Sequence, residues 1–114
     1  MSELNWIKEF PAAVTVVDAN GMILGMNDRA CRTFEDDGGA ALIGTNVLDC
    51  HPEPARSKLA ALMKNSAVNC YTIEKQGKWK MIYQAPWYEG GIYRGLVEIS
   101  MEIPAKLPHF VRAG

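Results

Sequence analysis

Apolar and polar residues alternate with a period of two through the last third of the chain. Tyr93, Gly95, Val97, Ile99, Met101 and Ile103 share one side, with Arg94, Leu96, Glu98, Ser100 and Glu102 on the other. That is the pattern of a strand, and Pro104 ends it. Upstream, Trp79, Met81, Tyr83, Ala85 and Trp87 lie opposite Lys78, Lys80 and Gln84, and Tyr71 and Ile73 alternate with Thr72 and Glu74. Lys75-Gln76-Gly77-Lys78 and Glu89-Gly90-Gly91 supply the turns between these runs. Near the start, the β-branched run Val14–Asp18 and the run Met22–Met26 flank Asn20-Gly21, a pair that tolerates positive φ and signals a hairpin.

Between the strand blocks the period becomes helical. Ala55, Leu59, Leu62 and Met63 recur at i, i+4, i+7 and i+8, one buried face of a helix that begins after Pro52 and Pro54. Asn27 stands at a natural N-cap for a short helix through Phe34, with Ala30, Cys31 and Phe34 on one side. Ser2 could cap another over Glu3–Phe10, with Leu4, Ile7, Phe10 and Trp6 as its apolar stripe and Pro11 as its stop. So short a helix needs a surface to cover, either its own sheet or a second copy of the chain. Glu35–Ala41, acidic and glycine-bearing, reads as loop. The tail beyond Pro104 has no period and reads as linker or frayed end.

Short hairpins imply an antiparallel sheet, and helices grouped between the strand blocks would cover one face of it, an α+β domain. One sheet face is apolar and the other mixed. The Trp79, Met81, Tyr83 and Trp87 face is aromatic enough to line a pocket for a planar ligand, or to be plain core. Either reading places it beneath the helices.

The chain has 114 residues, enough for one core. Its net charge of -1 leaves no basic footprint for nucleic acid or anionic lipid. No apolar run nears the roughly 20 residues that span a bilayer, and no secretory signal is visible, so the cytoplasm is the expected compartment. Cys31, Cys50 and Cys70 are widely spaced and odd in number, which argues against a disulfide framework.

Candidate chemistry gathers in Gly44–Pro52, where Cys50 adjoins His51. A thiolate near a helix N-terminus is stabilised by the helix dipole, although a lone cysteine among apolar residues is more often a small core side chain. A neutral imidazole could take an axial position on haem iron, or His51 could simply shape the entry to the helix. Zinc needs about four ligands; this pair supplies two and His109 lies far along the tail. Adjacent residues rarely aim at each other, so a Cys–His nucleophilic dyad is poor.

The order of elements resembles the PAS sensor family. Asp18-Ala19-Asn20-Gly21-Met22-Ile23 followed by Asn27 looks like the family's D-x-x-G-x-I-x-x-x-N opening. Gly44-Thr45-Asn46 before the middle helix and Gly95-Leu96-Val97-Glu98-Ile99 after the last hairpin match as well. The resemblance covers residues 11–103, leaving 1–10 as a flanking helix and 104–114 as a tail. It implies a five-stranded antiparallel sheet of order 2-1-5-4-3, short helices over one face, and a non-enzymatic sensing role. A cavity between sheet and helices would hold a small ligand or answer to a protein partner.

Flavin-binding light sensors of the family carry a reactive cysteine directly after Gly-x-Asn; Val47 stands there, which argues against adduct chemistry. Cys50 does not match the spacing of the chromophore-bearing cysteine in the photoactive yellow protein type. Haem-binding members often use a histidine on the helices, which makes His51 the candidate axial ligand of an alternative gas or redox sensor. A Cys50-dependent enzyme ranks below both. Met26, Phe34, Val47, Cys50, His51, Tyr83 and Met101 are the expected cavity residues. The N-terminal helix and the outer sheet face would form a homodimer surface, with an effector domain or protein as the downstream partner.

Overall fold

The computed structural model describes residues 4–114. Five strands are formed: β1 (Ala13–Asp18), β2 (Ile23–Met26), β3 (Asn69–Lys75), β4 (Lys78–Glu89) and β5 (Ile92–Ile103). They make one antiparallel sheet of order 2-1-5-4-3, as the resemblance implied. Between β2 and β3 lie α1 (Asp28–Thr33), three short 3-10 turns and α2 (Ala55–Lys64). The predicted loop Glu35–Ala41 winds into two of those turns.

The first hairpin turns on Asp18 more than on Asn20. The Asp18 carboxylate accepts from the amides of Asn20 and Met22, both at 2.9 Å, an Asx-type closure. Gly21 alone takes positive φ (90°), so Asn20 does not use its left-handed tolerance.

Asn27 begins α1 as its pattern predicted. Its Oδ1 accepts from Ala30 N at 3.0 Å and also from Val14 N at 3.0 Å. Its Nδ2 donates to the carbonyls of Ala12 (2.8 Å) and Ile7 (2.9 Å). One buried amide therefore ties together the helix start, β1 and the chain before it.

The segment before β1 departs from expectation. Residues 6–9 form a turn instead of a helix, closed by Phe10 N to Ile7 O (3.3 Å) with Trp6 edge-on to Phe10. The Ile7 carbonyl serves Asn27, the Lys8 carbonyl accepts from Asp28 N at 2.9 Å, and the Lys8 ammonium pairs with Asp28 at 3.0 Å. Pro11 has no N–H to give the Ile7 carbonyl and the Lys8 carbonyl accepts from Asp28 N, so no i→i−4 ladder closes here, which the apolar spacing alone could not reveal. The proposed Ser2 cap and Glu3 lie outside the described residues. Residues 104–114 form neither helix nor strand.

The larger correction concerns the sheet's faces. The side turned to the helices carries Thr15 and Val17 of β1, Ile82 and Gln84 of β4, and Leu96, Glu98 and Ser100 of β5. By alternation, Trp79, Met81, Tyr83 and Ala85 of β4 and Val97, Ile99, Met101 and Ile103 of β5 point the other way. Their register places them side by side: Tyr83 beside Ile99, Met81 beside Met101, Trp79 beside Ile103. Period-2 reading grouped these residues correctly, but it says nothing about which face the helices take. The buried core is the part of the inner face that α2 reaches: Val17, Ile23 and Leu96 against Leu59 and Met63, with Met26, Leu42, Val47, Leu48 and Leu62 around them.

Candidate functional site

The Gly44–Pro52 stretch is laid along the start of β2. Gly44 N donates to Ile23 O (2.8 Å), Ile23 N to Thr45 O (2.9 Å) and Val47 N to Gly21 O (2.7 Å). Asn46 locks the junction, donating through Nδ2 to Asn20 O at 3.1 Å and accepting from Leu48 N at 3.0 Å. A Cβ on Gly21 would sit 2.8 Å from Asn46 Oδ1, so the Gly21–Asn46 contact requires a glycine. Asn46 thus starts the 3-10 turn Val47–Cys50 while holding it against the hairpin.

Cys50 and His51 are brought together in a way that explains both structurally. Each hydrogen-bonds the Val47 carbonyl, Cys50 Sγ at 3.3 Å and His51 Nδ1 at 2.7 Å. A carbonyl can only accept, so His51 carries its proton on Nδ1, leaving the Nε2 lone pair uncommitted. Cys50 is exposed and borders a shallow groove with Asp49, His51 and Arg56. It is absent from the lining of the main cavity. Arg56 donates to Leu48 O at 2.9 Å, which fastens α2 to the turn. Glu53 accepts from Ser57 N (2.8 Å) and Ser57 Oγ (2.6 Å). These two bonds, the hydroxyl's first, hold the Glu53 carboxyl below its ordinary range.

Between the inner sheet face, α1, α2 and this stretch lies a cavity of about 930 Å³. Met26, Phe34, Val47 and His51 line it, as their positions suggested. Tyr83 and Met101 do not, because they stand on the opposite face of the sheet. The spacing that made them neighbours of Trp79 and Met81 also carries them away from the helices. Among the described residues no group of three or more His, Cys, Asp or Glu side chains could hold a metal ion.

Sequence reasoning missed the floor of this cavity. One register line crosses the whole sheet: Asn69 opposite Gln84, Gln84 opposite Glu98, Glu98 opposite Thr15, Thr15 opposite Met26. Asn69 Nδ2 donates to Gln84 Oε1 at 3.0 Å, and Gln84 Nε2 donates to Glu98 Oε2 at 2.8 Å. Gln84 is 8% exposed. The Tyr71 phenol, also on the lining, is pushed up from its ordinary value by burial first and by the Glu98 charge second. The clue was present in the alternation, since Gln84 and Glu98 fall on the mixed face at mid-strand. Only the β4–β5 register makes them partners.

The PAS fold family profile matches residues 5–70. No curated protein matches the sequence. Among solved structures, the PAS domain of an HTR-like protein from Haloarcula marismortui is 16% identical with a TM-score of 0.61, the match covering 86% of each chain. A sensory box sensor histidine kinase from Vibrio cholerae is 15% identical with a TM-score of 0.58, again over 86% of each chain. The Aer2 receptor from Vibrio cholerae, described as a dual PAS-heme oxygen sensor, is 17% identical with a TM-score of 0.59, over 82% of this chain and 95% of its own. At such identities these structures bear on the fold alone. The sheet order, the Asn27 cap and the profile match over more than half the chain agree. The chain belongs to the PAS family, whose members are sensory domains of signal-transduction proteins.

Proposed function

We propose that this chain is a non-enzymatic sensory module that binds a small ligand between the inner sheet face and the helices. The observation that carries the reading is the cavity of about 930 Å³, near the top of the size range of small-molecule sites. Its lining mixes apolar walls with the hydrogen-bonded row Asn69, Gln84 and Glu98, and fixed polar groups of this kind orient a ligand. A ligand that binds one arrangement of α1, α2 and the Gly44–Pro52 wall better than another would shift their populations. The sheet, which forms the floor, would pass that change to its outer face.

Haem held by His51 is the runner-up. In its favour, the Nδ1 bond to Val47 O orients the ring and leaves Nε2 for a metal, the usual outer support of a ligating histidine. Against it, Glu98 and Gln84 occupy the floor, where a charged, polar row is a poor partner for an apolar macrocycle. Native mass spectrometry and an absorption spectrum of freshly purified protein test the two together. The sensory reading expects a non-covalent adduct without a Soret band. Protein at the bare chain mass that also takes up no small molecule from a ligand library would leave a collapsed interaction module. A Soret band lost in His51→Ala would install the haem reading instead.

The outer face is the proposed homodimer surface. It presents Tyr83, Ile99, Met81 and Met101 as one apolar field, with Tyr83 40% exposed. The N-terminal segment, a turn and not a helix, keeps Leu4, Trp6 and Phe10 exposed and is proposed as part of that surface. Placing a charge in the middle of such a field disfavours its burial strongly. Tyr83→Glu and Met101→Glu are therefore expected to weaken self-association at least about tenfold in analytical ultracentrifugation. A wild-type chain that stays monomeric at high micromolar concentration would remove the dimer. The same face would then serve an effector domain or protein.

A further inference from the structure

We propose that the cavity recognises a ligand bearing a cationic N–H group, an amine or amidine, and that Glu98 is the residue that binds it. This rests on the reading that the cavity holds a small molecule, and it names that molecule's chemistry.

Glu98 lies at the centre of the register line that crosses the sheet, between Gln84 and Thr15. Its Oε2 accepts from Gln84, and among the described residues its Oε1 has no hydrogen-bond partner. Gln84 cannot turn away, because its own Oε1 is engaged by Asn69 at 3.0 Å. The carboxylate is thus held at one corner by a fixed amide and offers the other. Gln84 is a positioning residue.

Among the described residues no cation forms an ion pair with this carboxylate. Lys58, Lys75 and Lys80 also line the cavity, but none forms an ion pair with Glu98. Lys58 and Lys75 are exposed, and Lys80 sits directly opposite Glu102 on β5. Asp37 adds a second negative group to the lining and His51 is committed to Val47 O through Nδ1. The Tyr71 phenol is pushed up by burial first and by the Glu98 charge second.

A ligand seated on this floor excludes water from Glu98. An apolar or acceptor-only ligand would leave a carboxylate oxygen desolvated and unpaired, a heavy penalty. A carboxylate-bearing ligand would add repulsion. A protonated amine or amidine supplies both the missing donor and the missing charge, and such charge-assisted bonds are the stronger kind. An amidine further matches a carboxylate with two parallel N–H groups.

The test uses four small aromatic probes of nearly equal size: benzamidine, benzylamine, benzamide and benzoate. Each is titrated into the whole chain, with binding followed by shifts in the amide NMR signals of Glu98, Gln84 and Val47. Benzamidine and benzylamine are expected to bind at least about tenfold more tightly than benzamide, with benzoate weakest. Glu98→Gln, which keeps the side chain's shape and an acceptor oxygen for Gln84, should erase the preference for the cations. Comparison of the probes on the unaltered chain needs no variant, so a poorly folded mutant cannot obscure the result. Equal binding of benzamide and benzamidine, or a cation preference that survives Glu98→Gln, overturns the inference and leaves the cavity reading standing. No shift at any cavity residue with any probe removes the cavity reading and this inference with it.

Discussion

Replacing Asn27 with alanine is expected to destabilise the domain by about 3–5 kcal/mol. The side chain makes four hydrogen bonds, to Val14 N, Ala30 N, Ala12 O and Ile7 O, and is 6% exposed. Alanine removes the helix cap, typically worth about 1 kcal/mol. It also strands backbone groups of Val14 and Ala12, whose residues are buried, at about 1–3 kcal/mol for each buried group left unpaired. Urea denaturation of wild type and variant at matched m-value measures the difference. Asn27→Asp sharpens the interpretation. It keeps both acceptor roles but turns a carboxylate toward the Ile7 and Ala12 carbonyls, and should also destabilise. If Asn27→Asp were neutral while Asn27→Ala was severe, the two donated bonds would carry nothing and the two accepted bonds, from Ala30 N and Val14 N, would account for the effect.

Asn27 also marks how much of the fold is legible in the sequence. Its position before an apolar-periodic run predicted the cap, because capping is a local matter of one side chain and the next three amides. Its bonds to Ile7 and Ala12 were invisible, since they join segments whose approach is set by the whole fold. The same boundary separates success from error elsewhere. Hairpins at Gly21, Gly77 and Gly90–Gly91 and the β-strand alternation are local, and the sheet order followed from the family resemblance. Which face met the helices depended on α2 finding Val17, Ile23 and Leu96, a competition that the stronger apolar stripe did not win. Tyr83 and Met101, expected in the cavity, therefore lie outside it, and Gln84 and Glu98 of the mixed face form its floor. Cys50 and His51 drew attention by reactivity, yet both are engaged by one carbonyl. A polar row on a mixed sheet face is easily mistaken for an exposed one. In a sensory domain with an apolar outer face, it is the inner floor.

The second large effect is expected at Gly95. Its φ is 149°, and a Cβ there would overlap the Val17 carbonyl oxygen and lie 2.8 Å from Asp18 Cα. Both are backbone of the paired strand β1, which cannot step aside as a flexible side chain would. That carbonyl is also the acceptor for Trp87 Nε1 at 3.0 Å, and Trp87 stands opposite Gly95 in the β4–β5 register. The absent side chain therefore lets two strands and an indole converge on one oxygen. Gly95→Ala must push β1 from β5 or distort the turn at Asp18, and overpacking against backbone in a positive-φ position should destabilise by about 3 kcal/mol or more. Gly25→Ala is the matched control, because a Cβ there meets nothing within 4 Å; it should change stability by less than about 0.5 kcal/mol. The next inner-face pair along is Leu96 opposite Val17, part of the core that supports the cavity floor. Loss of the β1–β5 pairing should accordingly raise hydrogen exchange at Val17 and Leu96 before it does so in the β3–β4 hairpin. A Gly95→Ala chain as stable as Gly25→Ala would show that β1 can yield, and would undo the claim that this close approach holds the floor in place.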